Sequence, residues 1–277
     1  MPDNPPITAA ATRFLAFDTS TDRMSIAVTD GVRVWQHSGA GGAQASSTLI
    51  PAILALLAET GLALGDLDAI VFGRGPGSFT GLRTACAVAQ GLAFGARHGA
   101  GMPVLPIDTL MAVAEEARFQ LQDGPHRSPL PGIQRASNLR VTALLDARMD
   151  EMYVQNYEFS SDLFKQIRGC ELIRPENLVI NPGTHLLAGN VFGVYGLRLP
   201  AALAGFAQAE ALPTATALLR LAPALAAAGH CVAAELALPL YVRDKVAFTT
   251  EERERSKALA AAGQLDAGNL AATHAGT

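Results

Sequence analysis

Cysteine is scarce: Cys86, Cys170 and Cys231 are the three in 277 residues, and no two stand in C-x-x-C spacing. That excludes a disulfide framework and a zinc knuckle, and it fits a reducing compartment, with the cytoplasm as the expected location. A basic surplus is missing as well, since 21 Lys and Arg face 25 Asp and Glu for a net charge of −4. No global field draws such a chain to a polyanion, so unaided binding of RNA is not expected. Residues 1–12 are rich in Pro and Ala without a basic start or a long apolar centre. They read as a loose tail, neither a signal peptide nor a membrane span, and no membrane is expected as a partner. The six histidines, His37, His98, His126, His185, His230 and His274, include no pair at metal-ligand spacing.

The two commonest nucleotide loops are also missing. No glycine loop ends in Gly-Lys-Ser/Thr, and no G-x-G-x-x-G follows a strand with an acidic residue about 20 positions later. What is present is Gly73-Arg74-Gly75-Pro76-Gly77-Ser78-Phe79-Thr80-Gly81, set between the apolar run 69–72 and a long stretch of small and apolar residues at 82–94. This predicts a buried strand entering a helix through a glycine turn. Two readings stand side by side. Gly75 and Gly77 with Ser78 can cradle an anion at the helix start, or the same residues are the ordinary chemistry of a tight turn with a Ser cap. Composition favours the turn.

Ahead of this loop, strands are expected over 14–17 and 24–28, with Asp30-Gly31 turning into a third strand through Trp35. Asp18 closes the first strand, with Thr19 and Ser20 beside it. An Asx-type turn is the preferred reading there, and a carboxylate for metal-bound phosphate is the alternative. A helix capped by Ser46 or Ser47, carrying Pro51 in its first turn and stopped by Gly61, precedes a strand at 68–72. A helix over 80–95, a strand at 103–107 and a helix from Thr109 complete the first half. The order of strands and helices is ribonuclease-H-like, the unit duplicated in actin-like ATPases.

Gly, Pro and basic residues dominate 121–138, which reads as a linker. Strands at 139–145 and 152–159, with Asp146 at the end of the first, repeat the opening pattern of strand, Asp, turn and strand. If the repeat holds, Asp18 and Asp146 face each other across a cleft. Further on come a short helix opened by Pro175 and running through Val179, a strand at 186–190, a helix at 213–229 free to return to the first half, and an extended stretch at Pro239. The fold expected is α/β, with two ribonuclease-H-like, actin-like ATPase domains in tandem at 13–120 and 139–248, and tails at 1–12 and 249–277.

Four blocks carry a resemblance. The glycine loop continued by Leu82-Arg83, Leu15-Ala16-Phe17-Asp18-Thr19-Ser20-Thr21, Leu145-Asp146-Ala147-Arg148-Met149-Asp150-Glu151-Met152-Tyr153, and Pro239-Leu240-Tyr241-Val242-Arg243 resemble, in order and spacing over roughly 13–248, the bacterial TsaB (YeaZ) family. These are relatives of TsaD, the catalytic subunit in tRNA threonylcarbamoyladenosine synthesis. The resemblance implies a non-catalytic subunit that binds a TsaD-like protein and works with a TsaE-like ATPase, touches tRNA only through the complex, and forms a homodimer in isolation. TsaD relatives bind metal through two histidines four apart, and the matching positions here are Thr109 and Val113. Neither ligates a transition metal as imidazole does, so no metal site is expected. The glycine that actin-like ATPases place after their first Asp is absent, so Asp18, Thr19, Ser20, Gly75, Gly77, Ser78 and Asp146 are candidates for at most weak ATP binding, and no cofactor is expected. An ATP-dependent transferase or kinase is the alternative. A metallopeptidase lacks its histidines, and Ser78 lacks the G-x-S-x-G elbow of a nucleophile. Small residues on the helix at 80–95 leave room for a partner, so the expected contact residues are Leu49, Ile53, Leu82, Ala85, Ala89 and Leu92.

Overall fold

The computed structural model describes residues 12–99, 101–122, 138–160 and 163–243. Residues 1–11, linker residues 123–137 and the tail 249–277 lie outside the described residues, as do His126 and His274. Leu121 and Gln122, expected in the linker, belong to a helix, and Asn138 to a strand.

The first sheet begins with β1 (Phe14–Asp18), which is buried along its whole length. Antiparallel β2 (Arg23–Thr29) and β3 (Val34–Ala40) lie to one side, and parallel β4 (Ala69–Gly75) and β5 (Val104–Asp108) to the other, in the order β3, β2, β1, β4, β5. A strand buried on both faces needs apolar residues at every position, and the FLAF of β1 supplies them. Leu15 and Phe17 meet α1 (Ala45–Thr60) and α2 (Phe79–Gly95) on one face, while Phe14 and Ala16 point to the other.

The second sheet repeats this topology. β6 (Asn138–Arg148), β7 (Glu151–Ser160) and β8 (Leu163–Ile173) form an antiparallel meander, and β9 (Leu186–Gly189) and β10 (Ala207–Glu210) add in parallel on the opposite side of β6. The fold is therefore α/β with two mixed sheets of the ribonuclease-H-like type.

Two helices are crossed between the sheets. α3 (Thr109–Gln122) follows β5 in the chain, yet its Leu110, Val113, Ala114 and Ala117 pack with Leu139, Val141, Ala143, Leu145 and Tyr157 of the second sheet. Conversely, α5 (Ala215–Ala227) packs Leu218, Leu221 and Ala222 against Phe14, Ala16, Val71 and Leu105 of the first. Glu115, buried on α3, accepts Arg220 Nε of α5 at 2.8 Å and Arg118 Nε at 2.6 Å, and Glu116 accepts Arg220 Nη2 at 2.6 Å. The described residues up to Val242 accordingly pack as one compact unit. The short α4 (Phe192–Tyr195) lies on the outer face of the second sheet.

Several local expectations are corrected. The third strand runs past Trp35 to Ala40. α1 starts after a 3-10 turn at Gly42–Gln44 with no side-chain cap, and Ser47 Oγ instead donates back to the carbonyl of Gln44, so neither Ser46 nor Ser47 is the N-cap. Pro51 consequently falls in the second turn. Gly61 does stop α1, in the left-handed conformation at φ 72°. Pro175 opens only the 3-10 turn Pro175–Asn177. β8 and β10 are unforeseen because LFKQIRGCELI interrupts its alternation with charges and glycine, and AQAE holds no β-branched or aromatic residue.

Candidate functional site

Asp18, at the end of β1, is fully buried. Its Oδ1 accepts the Ser20 N–H at 2.8 Å and the Ser20 hydroxyl at 2.6 Å, which is the Asx-type turn. Among the described residues, Oδ2 and the buried hydroxyl of Thr109 meet no partner at good hydrogen-bond geometry, although the two lie close enough for Thr109 to favour the ionised carboxyl. Burial raises the carboxyl from 3.8 to about 6 against the lowering pull of Ser20 and Thr109. The group is thus held away from solvent, where burying charge is costly.

The glycine loop closes directly over this turn. Ser78 N–H donates to the Ser20 carbonyl at 2.7 Å, and the Thr19 hydroxyl donates to the Gly81 carbonyl at 2.7 Å. A Cβ on Gly77 would stand 2.5 Å from the Ser20 carbonyl oxygen, and one on Gly81 would collide with the carbonyl of Thr19. Ser78 caps α2 by accepting Gly81 N–H at 3.4 Å. The close backbone approach that the glycines permit is therefore made by the chain itself. Between this loop and the end of β1, Gly73, Gly77 and Gly81 lie directly against Asp18, Ser20 and Thr19.

Gly75 is explained in the same way. At φ 119°, it leaves room for the carbonyl oxygen of Leu240, 2.6 Å from where its Cβ would sit. Leu240 N–H in turn donates to the Arg74 carbonyl at 2.7 Å, and Arg74 Nε pairs with Asp108 at 2.6 Å. The strap so held brings Tyr241 to the start of α2. Its ring centroid is 5.3 Å from that of Phe79, the Arg83 guanidinium lies 3.8 Å above the Phe79 ring, and Arg83 Nε donates to the Tyr241 hydroxyl at 3.1 Å. Three of the four sequence blocks thus meet at one place. The clustering of Phe79, Arg83 and Tyr241 is not legible in local pattern, and their shared presence in those blocks is the available signal.

Asp146 belongs to a different arrangement. Its Oδ1 accepts the Tyr195 hydroxyl at 2.7 Å and the Arg148 N–H at 2.8 Å, and its own N–H donates to Asn190 Oδ1 at 2.9 Å. It anchors the β6–β7 hairpin, where Arg148, Met149 and Asp150 all have positive φ. Among the hydrogen bonds of the described residues, those of Asp18 run to Ser20 and those of Asp146 to Tyr195, Arg148 and Asn190.

The expected contact residues need correction. Leu49, Ile53, Leu82, Ala85 and Ala89 are buried within the chain, and Leu92 packs partly buried against the same core. Small residues at 85 and 89 let α2 lie close to its own sheet and to α1. The outer faces of the two helices carry other side chains: Ile50 and Leu54 on α1 and Phe94 on α2, 44%, 55% and 54% exposed. Thr109 and Val113, the positions matching the histidines of TsaD relatives, are both buried.

A family model described as TsaD, tRNA N6-adenosine threonylcarbamoyltransferase, matches residues 41–274. The tRNA threonylcarbamoyladenosine biosynthesis protein TsaB of Haemophilus influenzae is 32% identical over 84% of this chain and 94% of its own length. The chain belongs to the TsaB (YeaZ) family. TsaB of Escherichia coli is 30% identical over 85% of this chain and 96% of its own. In three dimensions, YeaZ from Pseudomonas aeruginosa superposes with a TM-score of 0.68 at 35% identity, covering 83% of this chain and all of that one. Within this TsaB-type fold, no helix of the described residues is long and apolar enough to cross a membrane.

Proposed function

We propose that this protein serves in tRNA threonylcarbamoyladenosine biosynthesis as a non-catalytic subunit in the cytoplasm. It binds a TsaD-like catalytic paralogue, works alongside a TsaE-like ATPase and meets tRNA only within that complex. Two actin-like halves, the first built on β1 to β5 and the second on β6 to β10, form the body of the subunit. The observation that supports the reading is the closure of the glycine loop on residues 18–20, where Ser78 N–H meets the Ser20 carbonyl and a Cβ on Gly77 or Gly81 would strike residues 19 and 20. A chain of this shape retains its surface as its means of action.

The partner surface is the outer face of α1 and α2. α1 contains one charged residue, Glu59, and α2 one, Arg83, a depletion typical of the centre of an interface. Gly91 and Gly95 add a second sign. A Cβ at either would meet nothing within 4 Å, so no packing inside the chain requires glycine there, although glycine weakens a helix by about 1 kcal/mol relative to alanine. Both leave room for a second helix to approach. The same surface supports a homodimer in isolation, so homodimer and heterodimer compete.

Co-purification with the paralogue from the same organism, followed by titration, tests this. Leu54→Asp and Gly91→Trp should keep the wild-type melting temperature and lose the complex. Full-affinity binding by both folded variants would remove these helices from the interface, and failure of the wild type to bind would remove the subunit reading.

A further inference from the structure

The strap along α2 offers a surface that the helices alone do not account for. Gln90 Nε2 donates to the Ala237 carbonyl at 3.2 Å, and Ala234 and Ala237 are buried in the core beneath α1 and α2, so this segment is fixed beside α2 along much of its length. It then turns outward what a soluble chain ordinarily hides: Leu236 and Leu238 are 58% and 60% exposed, and Tyr241 and Phe79 are 44% and 38% exposed. From Ala234 to Val242 the sole charge is Glu235.

We propose that Phe79, Arg83 and Tyr241, held over the glycine loop by Leu240, form the anchor of the partner surface, and that the anchor's occupant is the same TsaD-like paralogue. This rests on the subunit reading above. Three things argue for it. The strap runs beside α2, tied to it at Gln90 and Arg83, and carries Glu235 as its sole charge, so a partner laid on α1 and α2 reaches the cluster. The three side chains are already locked to one another, by the 3.8 Å stack of Arg83 on Phe79 and the 3.1 Å bond from Arg83 to Tyr241, so little side-chain freedom is lost on binding. Tyr and Arg are also the residue types that dominate binding energy when seated among apolar neighbours.

An RNA base is the less favoured occupant. Stacking platforms for single strands sit in basic grooves, whereas here Arg74 is taken up by Asp108 at 2.6 Å and the flanking residues are leucines. The glycine loop itself supports the cluster. Gly75 admits the Leu240 carbonyl, and the loop thereby becomes the seat on which Tyr241 is displayed.

The test uses the full chain and the purified paralogue, with association measured by calorimetry. Tyr241→Ala and Arg83→Ala should each weaken the complex about thirtyfold or more, while Leu197→Ala, at an exposed site outside the strap, leaves it unchanged. Should Tyr241→Ala lower the melting temperature, Tyr241→Phe and Arg83→Lys, which keep ring and charge, carry the same test with a smaller loss. Wild-type affinity in the folded cluster variants, together with loss of binding in Leu54→Asp, would overturn the anchor and leave the subunit reading standing. A loss confined to self-association, or to binding of unmodified tRNA, would also overturn it, by assigning the cluster to a second copy or to RNA. If the wild-type chain does not bind the paralogue, both readings fall.

Discussion

The Oδ2 of Asp18 occupies the space that a Cβ on residue 73 would take, so Gly73 is glycine because a buried carboxylate lies against its α-carbon. The contact joins the first strand to the glycine loop, two regions that the sequence alone invites one to read as halves of a phosphate site. Here they are halves of one packing contact.

Gly73→Ala should therefore destabilise the chain although alanine is small. The added methyl displaces a carboxylate with nowhere dry to go, at a cost of about 1–3 kcal/mol from overpacking. Urea denaturation checks this, and an unchanged midpoint would mean that Asp18 does not lie on Gly73.

Asp18 should also give stability a distinctive pH dependence. Its carboxyl titrates at 3.8 when unperturbed and at about 6 in the folded chain, raised chiefly by burial. Between these values the folded state holds the extra proton, so this group's contribution is full below about pH 4 and is lost as pH rises through 6. Asp18→Asn keeps an Oδ1 acceptor for Ser20 and removes the titration. The variant should be more stable than wild type at pH 7.5 by about 1–3 kcal/mol, with the difference vanishing near pH 4. Parallel stability profiles for the two proteins would contradict the buried, strained carboxyl.

Ala89→Glu separates core from surface. Ala89 is buried with Ala85 and Phe72, so a glutamate there places an unpaired charge in the core and should unfold the chain or cost several kcal/mol, roughly 3–5, rather than selectively dissolve a complex. Gly91→Ala, one turn or less away on the open face, should stabilise α2 by about 0.5–1 kcal/mol. Thermal melts followed by circular dichroism distinguish the two.

ATP with magnesium should show no saturable binding below the millimolar range, a level that corresponds to only about −4 kcal/mol. Residues 18–20 lie against the glycines of the loop, and no lysine accompanies residues 73–81. Micromolar affinity in calorimetry, lost in Asp18→Ala, would favour the ATP-dependent transferase instead.

Local pattern alone determined much of this protein. The apolar run at 14–17, the glycine loop entering α2, the stop at Gly61 and the four spaced blocks are short-range signals, set by burial, backbone freedom and helix capping within a few residues. They were enough for the α/β class, the ribonuclease-H-like strand order and the TsaB resemblance. The tertiary structure decided which face of each element is hidden. Leu49, Ile53, Ala85 and Ala89 have the composition of a contact stripe, but a helix has two sides that can be apolar, and the sheet beneath claims this one. It also decided that α3 and α5 cross to opposite sheets and that Leu240 seats itself on Gly75, contacts that span far more of the chain than any periodicity can register. Packing also decided what lies against the glycines of the loop, because only the folded chain brings residues 18–20 to them.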